Sequence, residues 1–355
     1  MRAVHFVVPA ELDDPAQPTG GNVYDHRIHR GLVDLGWQVI RLSVPGSWPS
    51  PDPAAEQALG RLMGGIPDGG LVLIDDLVAC TVPHILIPEA PRLRLVVLVH
   101  NAPVEPSPGA QTADALARAG AVLAAARSVV TTSSWTRNGL IQCHPLLRNK
   151  VHVAEPGVDA APLAPGTPWG GELLCVAAVT AHKGHDVLLD ALARVVDLRW
   201  RCVCVGALDR EPAFVADLRL RLATNGISDR VAFVGVRTGS GLDRSYAAAD
   251  ALVLASHGET YGMVVTEALA RGLPGIVSSV GGLPEALGGT RAGGRPGLLV
   301  PAGDSVALAG ALRRWLTDAP LRARLRAAAQ ERRSILSGWE IPSRRIAQVL
   351  TQAAA

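Results

Sequence analysis

The sequence predicts two α/β domains in tandem, each built on a doubly wound parallel sheet. Short apolar runs alternate with helical stretches along all 355 residues. These runs are continuous rather than alternating with polar residues, which indicates strands buried on both faces under helices. The length is too great for one ordinary domain and suits two.

The apolar runs of strand length form two groups. Those of the first half are Val4–Val8, Gln38–Leu42, Leu71–Ile74, Leu95–Val99 and Val129–Thr132. Those of the second half are Leu173–Val179, Arg201–Val205, Val231–Val234, Ala251–Leu254, Gly275–Val277 and Leu298–Val300. Helical patterns lie between them, over Val23–Leu35, Thr112–Ala125, Asp186–Val196, Pro212–Ala223, Met263–Ala270 and Val306–Leu316. A strand pattern that restarts in this way predicts a second domain of the same class.

The candidate linker is the segment Ala160–Gly171, which is dense in proline and glycine. We therefore expect residues 1–160 to form the first domain and residues 161–338 the second. A helix at about 339–355 is expected to pack back on the first domain. Ligands of doubly wound sheets bind outside the carboxyl ends of the strands, so we expect a site in a cleft between the domains.

The charge composition argues against a nucleic-acid partner. The chain has 34 basic and 32 acidic residues, a formal charge of +2, and only 4% aromatic residues. The near balance of charge gives no basic surface for a nucleic-acid backbone, and the few aromatic residues argue against a surface on which bases stack. Lys150 and Lys183 are the only lysines, so nearly every cation is an arginine.

The cysteines predict a reduced, cytoplasmic environment. Their number is odd and no pair has Cys-x-x-Cys spacing, so we expect small buried hydrophobic side chains. Two of them, Cys202 and Cys204, share one face of a strand. Residues 1–9 read as a first strand rather than a signal segment, and no apolar run approaches the ~18 residues of a membrane span. The full set is Cys80, Cys143, Cys175, Cys202 and Cys204.

The stretch Leu321–Val349 is rich in arginine and helical in pattern. Glu331 and Glu340 interrupt the positive charge, so a solvated helix face is favoured over a membrane-surface or acidic-partner patch. Its arginines are Arg322, Arg324, Arg326, Arg332, Arg333, Arg344 and Arg345.

Two features of the first half are candidates for ligand binding. Pro-Thr-Gly-Gly-Asn over 18–22 joins a strand to a helix, where glycines allow close approach to an anion or a sugar hydroxyl. A plain turn explains it equally well, and the Gly-x-Gly-x-x-Gly dinucleotide fingerprint is absent. His100 ends the buried strand Leu95–Val99, where catalytic groups of α/β folds lie, although a structural histidine is as common there.

Two features of the second half are more specific. Lys183 follows a strand and precedes a helix, so its ammonium can reach a diphosphate, unless it is simply an exposed helix-start lysine. The segment 256–274 carries Glu259 and Glu267 around a helix start near Gly262, whose free N–H groups can bind phosphate oxygens. Glu267 can accept hydrogen bonds from a ribose diol, and Glu259 can hold sugar hydroxyls. The alternative for Glu259 is stabilisation of the helix dipole.

In this combination the chain resembles a family 4 glycosyltransferase of the GT-B fold. The Glu259-x7-Glu267 segment, followed by Ala-Leu-Ala-Arg-Gly-Leu-Pro, is that family's hallmark. Further motifs follow in the expected order. They are Gly20-Gly21, His100, Lys183-Gly184, Phe233-Val-Gly235, Tyr246-Ala-Ala-Ala-Asp250 and Gly281-Gly-Leu-Pro-Glu285. The resemblance implies two Rossmann-like domains, transfer of a sugar from a nucleotide donor with retention of configuration, and no need for a divalent metal or other cofactor.

The resemblance also implies roles for individual residues. Glu267 would hold the donor ribose and Glu259 the hexose hydroxyls, while Lys183 would neutralise charge on the leaving phosphate. His100 would line the sugar near the anomeric centre. The backbone positions implied are Gly20 and Gly21 for diphosphate and acceptor, Val236 and Arg237 for the nucleobase, and Tyr261, Gly262, Met263 and Val264 for diphosphate and sugar.

One position departs from the family pattern. Many members place an arginine five residues before this lysine, and here that residue is Ala178. Thr180 or Arg237 could replace this arginine at the diphosphate, and the sequence does not favour either one.

The expected function is transfer of a hexose from a UDP- or GDP-sugar to a hydroxyl of a small-molecule or lipid acceptor. We expect the first domain to bind the acceptor through the loops 9–19, 76–82 and 102–111. A nucleotide-sugar epimerase shares the architecture, and a non-catalytic sugar-nucleotide-binding protein is suggested by Ala178. Metal-dependent transferases are disfavoured because Asp-x-Asp is absent from the sequence.

Overall fold

The computed structural model describes residues 2–13, 19–101 and 110–355 and divides into two compact units. Unit 1 comprises residues 1–157 together with 339–355, and unit 2 comprises residues 158–338. Each unit contains one six-stranded, fully parallel sheet with helices packed against it. The α/β class and the two doubly wound sheets predicted from the sequence are therefore confirmed.

The sheet of unit 1 has the strand order β2-β1-β3-β4-β5-β6. Its strands are β1 (Ala3–Pro9), β2 (Gln38–Val44), β3 (Leu71–Asp75), β4 (Arg94–Val99), β5 (Ser128–Thr131) and β6 (Val151–Val153). Every residue of β3 and β5 is buried, as the continuous apolar runs predict.

The helices of unit 1 connect successive strands, except for the last. They are α1 (Gly20–Asp34), α2 (Pro53–Gly64), α3 (Asp76–Ala79), α4 (Pro83–Glu89), α5 (Ala110–Ala125) and α6 (Ser134–Cys143), with α14 (Glu340–Ala354) at the end of the chain. Lys150 donates from Nζ to the carbonyls of Ala124 (2.7 Å) and Ala126 (3.0 Å) at the end of α5, a favourable place for a cation.

Helix α14 completes the core of unit 1. Its buried residues Ile346 and Leu350 join the same apolar cluster as Phe6 of β1. At Gly31 of α1, a Cβ atom would stand 1.9 Å from Oγ of Ser343. With Ser343 opposite, glycine at position 31 allows α1 and α14 to approach this closely, so α14 is an integral part of unit 1.

The sheet of unit 2 has the order β12-β11-β10-β7-β8-β9. Its strands are β7 (Glu172–Val176), β8 (Arg201–Val205), β9 (Val231–Phe233), β10 (Ala251–Leu254), β11 (Gly275–Ser278) and β12 (Gly297–Val300). Its helices are α7 (His185–Ala193), α8 (Pro212–Thr224), α9 (Gly239–Ala247), α10 (Met263–Ala270), α11 (Leu283–Leu287), α12 (Ser305–Thr317) and α13 (Ala319–Arg333). The run predicted as Leu173–Val179 is a strand only as far as Val176.

The segment 160–171, predicted as a linker, is packed inside unit 2. Asp250 is fully buried and accepts hydrogen bonds from the N–H (2.6 Å) and hydroxyl (2.6 Å) of Thr167 and from the N–H of Glu172 (2.9 Å). Arg326 pairs with the same carboxylate at 2.6 Å. Proline and glycine here shape a fixed loop around a buried charge, and the boundary between the units lies a few residues earlier.

The arginine-rich stretch is only partly a solvated face. Arg322 donates to the carbonyls of Trp315 and Leu316, and Arg333 donates to those of Ala270 and Ala161. With Arg326, these side chains bind the interior of unit 2. Among the described helices, none combines the length and apolar content needed to cross a bilayer.

Candidate active site

Three loops of unit 2 meet at the carboxyl ends of neighbouring strands β7, β10 and β11. A Cβ atom at Gly184 would stand 2.1 Å from the carbonyl oxygen of Ala255. A Cβ atom at Gly281 would stand 1.9 Å from that of Glu259. Because side chains are excluded from both contacts, the loops pack backbone against backbone and hold the side chains of Lys183 and Glu259 side by side.

Lys183 and Glu259 form an ion pair at the centre of this loop cluster. The Lys183 Nζ lies 2.7 Å from Oε1 of Glu259, which also accepts the Ser256 hydroxyl at 3.0 Å. The side chains are 26% and 14% exposed, respectively, so both are partly screened from water yet accessible to a ligand. An anion arriving here meets a cation that is already positioned.

The amino end of α10 lies directly after Glu259. Gly262 is its N-cap residue with φ 100°, a left-handed conformation that suits glycine, and no described side chain caps the first turn. The first N–H groups, beginning at Met263, are therefore available to phosphate oxygens. Tyr261 is buried at 6% exposure and contributes backbone to the same loop, while Val264 is half-buried.

Glu267 lies further along α10 and is held by aromatic and cationic neighbours. The Tyr246 hydroxyl donates to Glu267 Oε2 at 2.7 Å, and the Arg271 guanidinium stacks 4.5 Å from the Tyr246 ring centre. Burial raises the pKa of Glu267, although the Tyr246 hydrogen bond and the charge of Arg271 oppose the shift. Within the described residues, no hydrogen bond reaches the other carboxylate oxygen, Oε1, so it can accept one from another donor.

Neither Thr180 nor Arg237 replaces the arginine that many family members have at the position of Ala178. Ala178 is half-buried, and the Thr180 carbonyl accepts the N–H of Lys183 at 3.0 Å, which begins the turn carrying that lysine. Arg237 is exposed and donates to the Ser245 hydroxyl at 2.8 Å, and its neighbour Val236 is half-buried. Lys183 is therefore the cation placed against the α10 end.

The candidate histidine of unit 1 lies in a different environment. His100 follows β4 and is only 5% exposed. Its Nε2 lies 2.8 Å from Oδ1 of Asp25 and 3.9 Å from Oδ2 of Asp75. The Tyr24 ring packs edge-on at 5.2 Å between ring centres. The imidazole is thus enclosed by carboxylates and an aromatic ring.

Electrostatics around His100 favour its charged form. Burial alone lowers the pKa of His100, but the charge and hydrogen bond of Asp25, with Asp75 and Asp76 beyond it, raise that pKa to about 9. Burial raises the pKa of Asp75 well above its usual range, and that of Asp76 also rises. Asp76 accepts the N–H groups of His100 (2.8 Å) and Asn101 (3.1 Å), so it fixes the end of β4.

The glycines predicted as a turn are the first residues of α1. Gly20 is exposed, and a Cβ atom at Gly21 would stand 3.6 Å from the His100 ring, an ordinary contact distance. Thr19 caps the helix by accepting the N–H of Asn22 at 3.0 Å. Residues 14–18 and 102–109, which belong to the candidate acceptor loops at 9–19 and 102–111, lie outside the described residues.

The structure therefore groups the predicted residues within each unit. In unit 2, Lys183, Glu259 and Glu267 flank the start of α10. In unit 1, His100 lies beside Gly21. Sequence reasoning did not single out Asp25 as a partner of His100. Its spacing of four residues from Gly21 on α1 was the available signal, since such residues share a helix face.

Comparison with known proteins finds a family match in unit 2. Residues 170–318 match the family model of glycosyl transferases group 1, which spans both glutamates and Lys183. The resemblance derived from the motifs is thereby confirmed.

Relatives of known name match a larger part of the chain. A D-inositol 3-phosphate glycosyltransferase of Stackebrandtia nassauensis is 34% identical over 59% of this chain and 50% of its own length. One of Frankia alni is 32% identical over 63% of this chain and 58% of its own length. The chain thus spans about half the length of these relatives.

Solved structures resemble the chain over nearly its full length. HepE of Anabaena, in complex with UDP and glucose, has a TM-score of 0.77 at 19% identity, covering 99% of this chain and 100% of that one. Sucrose-phosphate synthase of Thermosynechococcus elongatus has a TM-score of 0.79 at 23% identity, covering 99% of each chain. At these identities the likeness establishes the GT-B fold.

Proposed function

We propose that the protein is a retaining glycosyltransferase that moves a hexose from a UDP- or GDP-sugar to an acceptor hydroxyl. The observation that carries this proposal is the Lys183–Glu259 ion pair beside the open amino end of α10. The cation and the free N–H groups suit a diphosphate, and the two carboxylates suit the ribose and the hexose on either side of it.

Each residue of unit 2 has a defined task in the proposal. Lys183 and the N–H groups from Gly262 to Val264 bind the diphosphate, and Glu267 accepts hydrogen bonds from the ribose diol. Glu259 exchanges part of its contact with Lys183 for the hexose hydroxyls. Tyr246 holds Glu267 in place for this role. The backbone near Val236 and Arg237 frames the base.

The proposed reaction proceeds through an oxocarbenium-like state. The bond between the anomeric carbon and the phosphate oxygen breaks, and the acceptor oxygen bonds to the same face of that carbon. The acceptor proton passes to the departing phosphate oxygen. Lys183 and the α10 N–H groups stabilise the charge that develops there. From unit 1, His100 is proposed to line the sugar, and Gly20 and Gly21 to approach the diphosphate and acceptor.

UDP-sugars and inositol phosphates are the first compounds to test. HepE binds UDP and UDP-glucose in its solved complexes, and the relatives carry the name D-inositol 3-phosphate glycosyltransferase. These similarities support the choice of donor and acceptor class.

The test is a thermal-shift panel of UDP, GDP, ADP and dTDP and their sugars. A nucleotide at 100 times its Kd adds roughly 2.7 kcal/mol to the unit that binds it. At roughly 2–4 °C per kcal/mol, we expect the Tm to rise by roughly 5–10 °C with the correct nucleotide. If no nucleotide or sugar nucleotide moves the Tm, the donor assignment is wrong.

A binding protein without turnover is the second candidate, favoured by Ala178 at the arginine position. It predicts a Tm shift with a sugar nucleotide but neither hydrolysis nor transfer with any acceptor. An epimerised nucleotide sugar formed without acceptor would point instead to an epimerase.

A further inference from the structure

The core of unit 2 contains thiols and an imidazole that the proposed reaction does not use. Cys175 of β7 and Cys204 of β8 are partners in register across the two parallel strands. His185, the first residue of α7, places Nε2 3.7 Å from the Cys175 Sγ. All three residues are at most 1% exposed. Cysteine and histidine side chains thus converge from three elements at one buried point.

The spacing of these atoms fits a bound metal ion. The ligand atoms of Cys175, His185 and Cys204 all lie within 4.8 Å of one another. A tetrahedral zinc ion with Zn–S of about 2.3 Å and Zn–N of about 2.0 Å sets its ligand atoms roughly 3.5–3.8 Å apart. The Cys175–His185 separation already has this value, and side-chain shifts of about 1 Å would close the remaining gaps.

A fourth ligand is available on the same face. Cys202 precedes Cys204 by two residues on β8, so its side chain lies on the same face of the strand, and it is 1% exposed. Cys202 lies outside the group of three whose ligand atoms are within 4.8 Å of one another, so its thiol would have to turn toward the ion. With it, three cysteines and one histidine would make a donor set of the kind that holds structural zinc.

The ring nitrogens of His185 have few hydrogen-bond partners in this cluster. Within the described residues, the buried Nδ1 of His185 has no hydrogen-bond partner, and its Nε2 faces a thiol. The Phe233 ring lies 6.2 Å away between ring centres. A buried imidazole in apolar surroundings carries a desolvation cost that coordination to a metal would offset.

We propose that Cys175, Cys202, Cys204 and His185 form a structural zinc site in unit 2. The ion would join β7 and β8 to the first residue of α7. Lys183 and Gly184 immediately precede His185, so the site would also fix the turn that carries the candidate catalytic lysine. The zinc itself would take no part in sugar transfer.

The first experiment measures metal on the full chain, untagged so that no added histidines bind metal. We expect about one zinc per chain by elemental analysis. After removal of the metal by a chelator, Co²⁺ should restore thiolate-to-cobalt charge-transfer bands and the ligand-field bands of a tetrahedral site. If wild-type protein with intact circular dichroism contains no zinc and binds no Co²⁺, the proposal is wrong.

Variants locate the ion. Cys204→Ser and His185→Gln should lose the zinc and the Co²⁺ bands. Cys143→Ser, a partly exposed cysteine on α6, is the matched control and should keep both. A second buried group among the described residues, formed by Asp25, Asp75 and His100, also has a spacing that could hold a metal ion. Asp25→Asn tests this group, and that variant should keep the zinc and the Co²⁺ bands.

Two outcomes of the variant series would overturn the assignment even if metal is found. One is zinc retained in folded Cys204→Ser protein but lost in Asp25→Asn protein. The other is a Cys175–Cys204 disulfide in peptide maps of the native protein. None of these measurements uses a sugar nucleotide, so their failure would leave the proposed transferase function untouched.

Discussion

The two candidate centres of the molecule differ in how their charges are satisfied. In unit 2, Lys183 pairs with one carboxylate among the described residues, that of Glu259, and no described side chain caps the adjacent α10 N–H groups. In unit 1, His100 faces the carboxylates of Asp25 and Asp75 in a buried cluster. The first arrangement leaves binding capacity for an anion, whereas the second is already rich in negative charge.

This difference teaches that a charged side chain near a strand end does not by itself provide a binding site for an anion. Lys183 is 26% exposed and can exchange Glu259 for a phosphate, because its pairing is with one accessible group. The His100 imidazolium is compensated from within the protein, so its charge contributes to the stability of unit 1. The following predictions test this contrast, beginning with the largest expected effect.

Replacing Lys183 by alanine should lower turnover on the order of 100-fold or more, by analogy with the loss of one oxyanion donor. Lys150→Ala is the matched control, since that lysine caps the end of α5 and should leave turnover unchanged. Release of UDP from UDP-glucose measures both. Unchanged turnover in Lys183→Ala, or an equal loss in both variants, would contradict a specific role for Lys183 at the donor.

The charge of His100 should make stability depend on pH. Its pKa in the folded protein, about 9, is above the unfolded value of about 6.5, so the contribution is complete below pH 6.5 and lost as pH rises through 9. The fall in unfolding free energy should be on the order of 3 kcal/mol. Urea unfolding between pH 6 and 10 measures it.

The control for this pH dependence is the exposed histidine His84, 61% exposed beside Glu56. His84→Gln should retain the wild-type pH dependence, whereas His100→Gln should remove it. Asp25→Asn should lower the midpoint of the His100 ring titration measured by NMR. A His100 midpoint that does not move in Asp25→Asn would contradict the pairing described for unit 1.

Glu267→Ala should weaken UDP binding by roughly 10- to 100-fold, since hydrogen bonds to a charged group contribute about 1.5–3 kcal/mol. Asp243→Asn is the control, because Asp243 is 63% exposed and also contacts Arg271. Isothermal titration calorimetry with free UDP compares them. Unchanged UDP affinity in Glu267→Ala would contradict the proposed contact between Glu267 and the ribose. Glu267 would then be, like His100, a buried charged group that is satisfied within the protein.

Most of the fold could be predicted because the apolar runs are continuous. Runs such as Leu71–Ile74 and Ala251–Leu254 lie wholly within strands, since burial on both faces leaves no polar position. The segment 160–171 could not be assigned correctly. Proline and glycine signal the absence of regular structure, while the hydrogen bonds to Asp250 that fix this loop join residues far apart in sequence.

The site was predictable where its residues are close in sequence. Glu259, Gly262 and Glu267 belong to one loop and helix, so spacing alone placed them around a helix start. The partners of His100 come from α1 and β3, and only the folded sheet brings Asp25 and Asp75 to it. Pairings of this kind depend on register between strands, which local patterns do not specify.

Helix α14 gives the two units different histories during synthesis. Unit 2 is one continuous segment, so it can fold as soon as residue 338 has left the ribosome. The strands of unit 1 are translated early, but the surface of α1 that receives Ser343 stays uncovered until α14 has emerged. Unit 1 is therefore translated first, but its core is completed after that of unit 2.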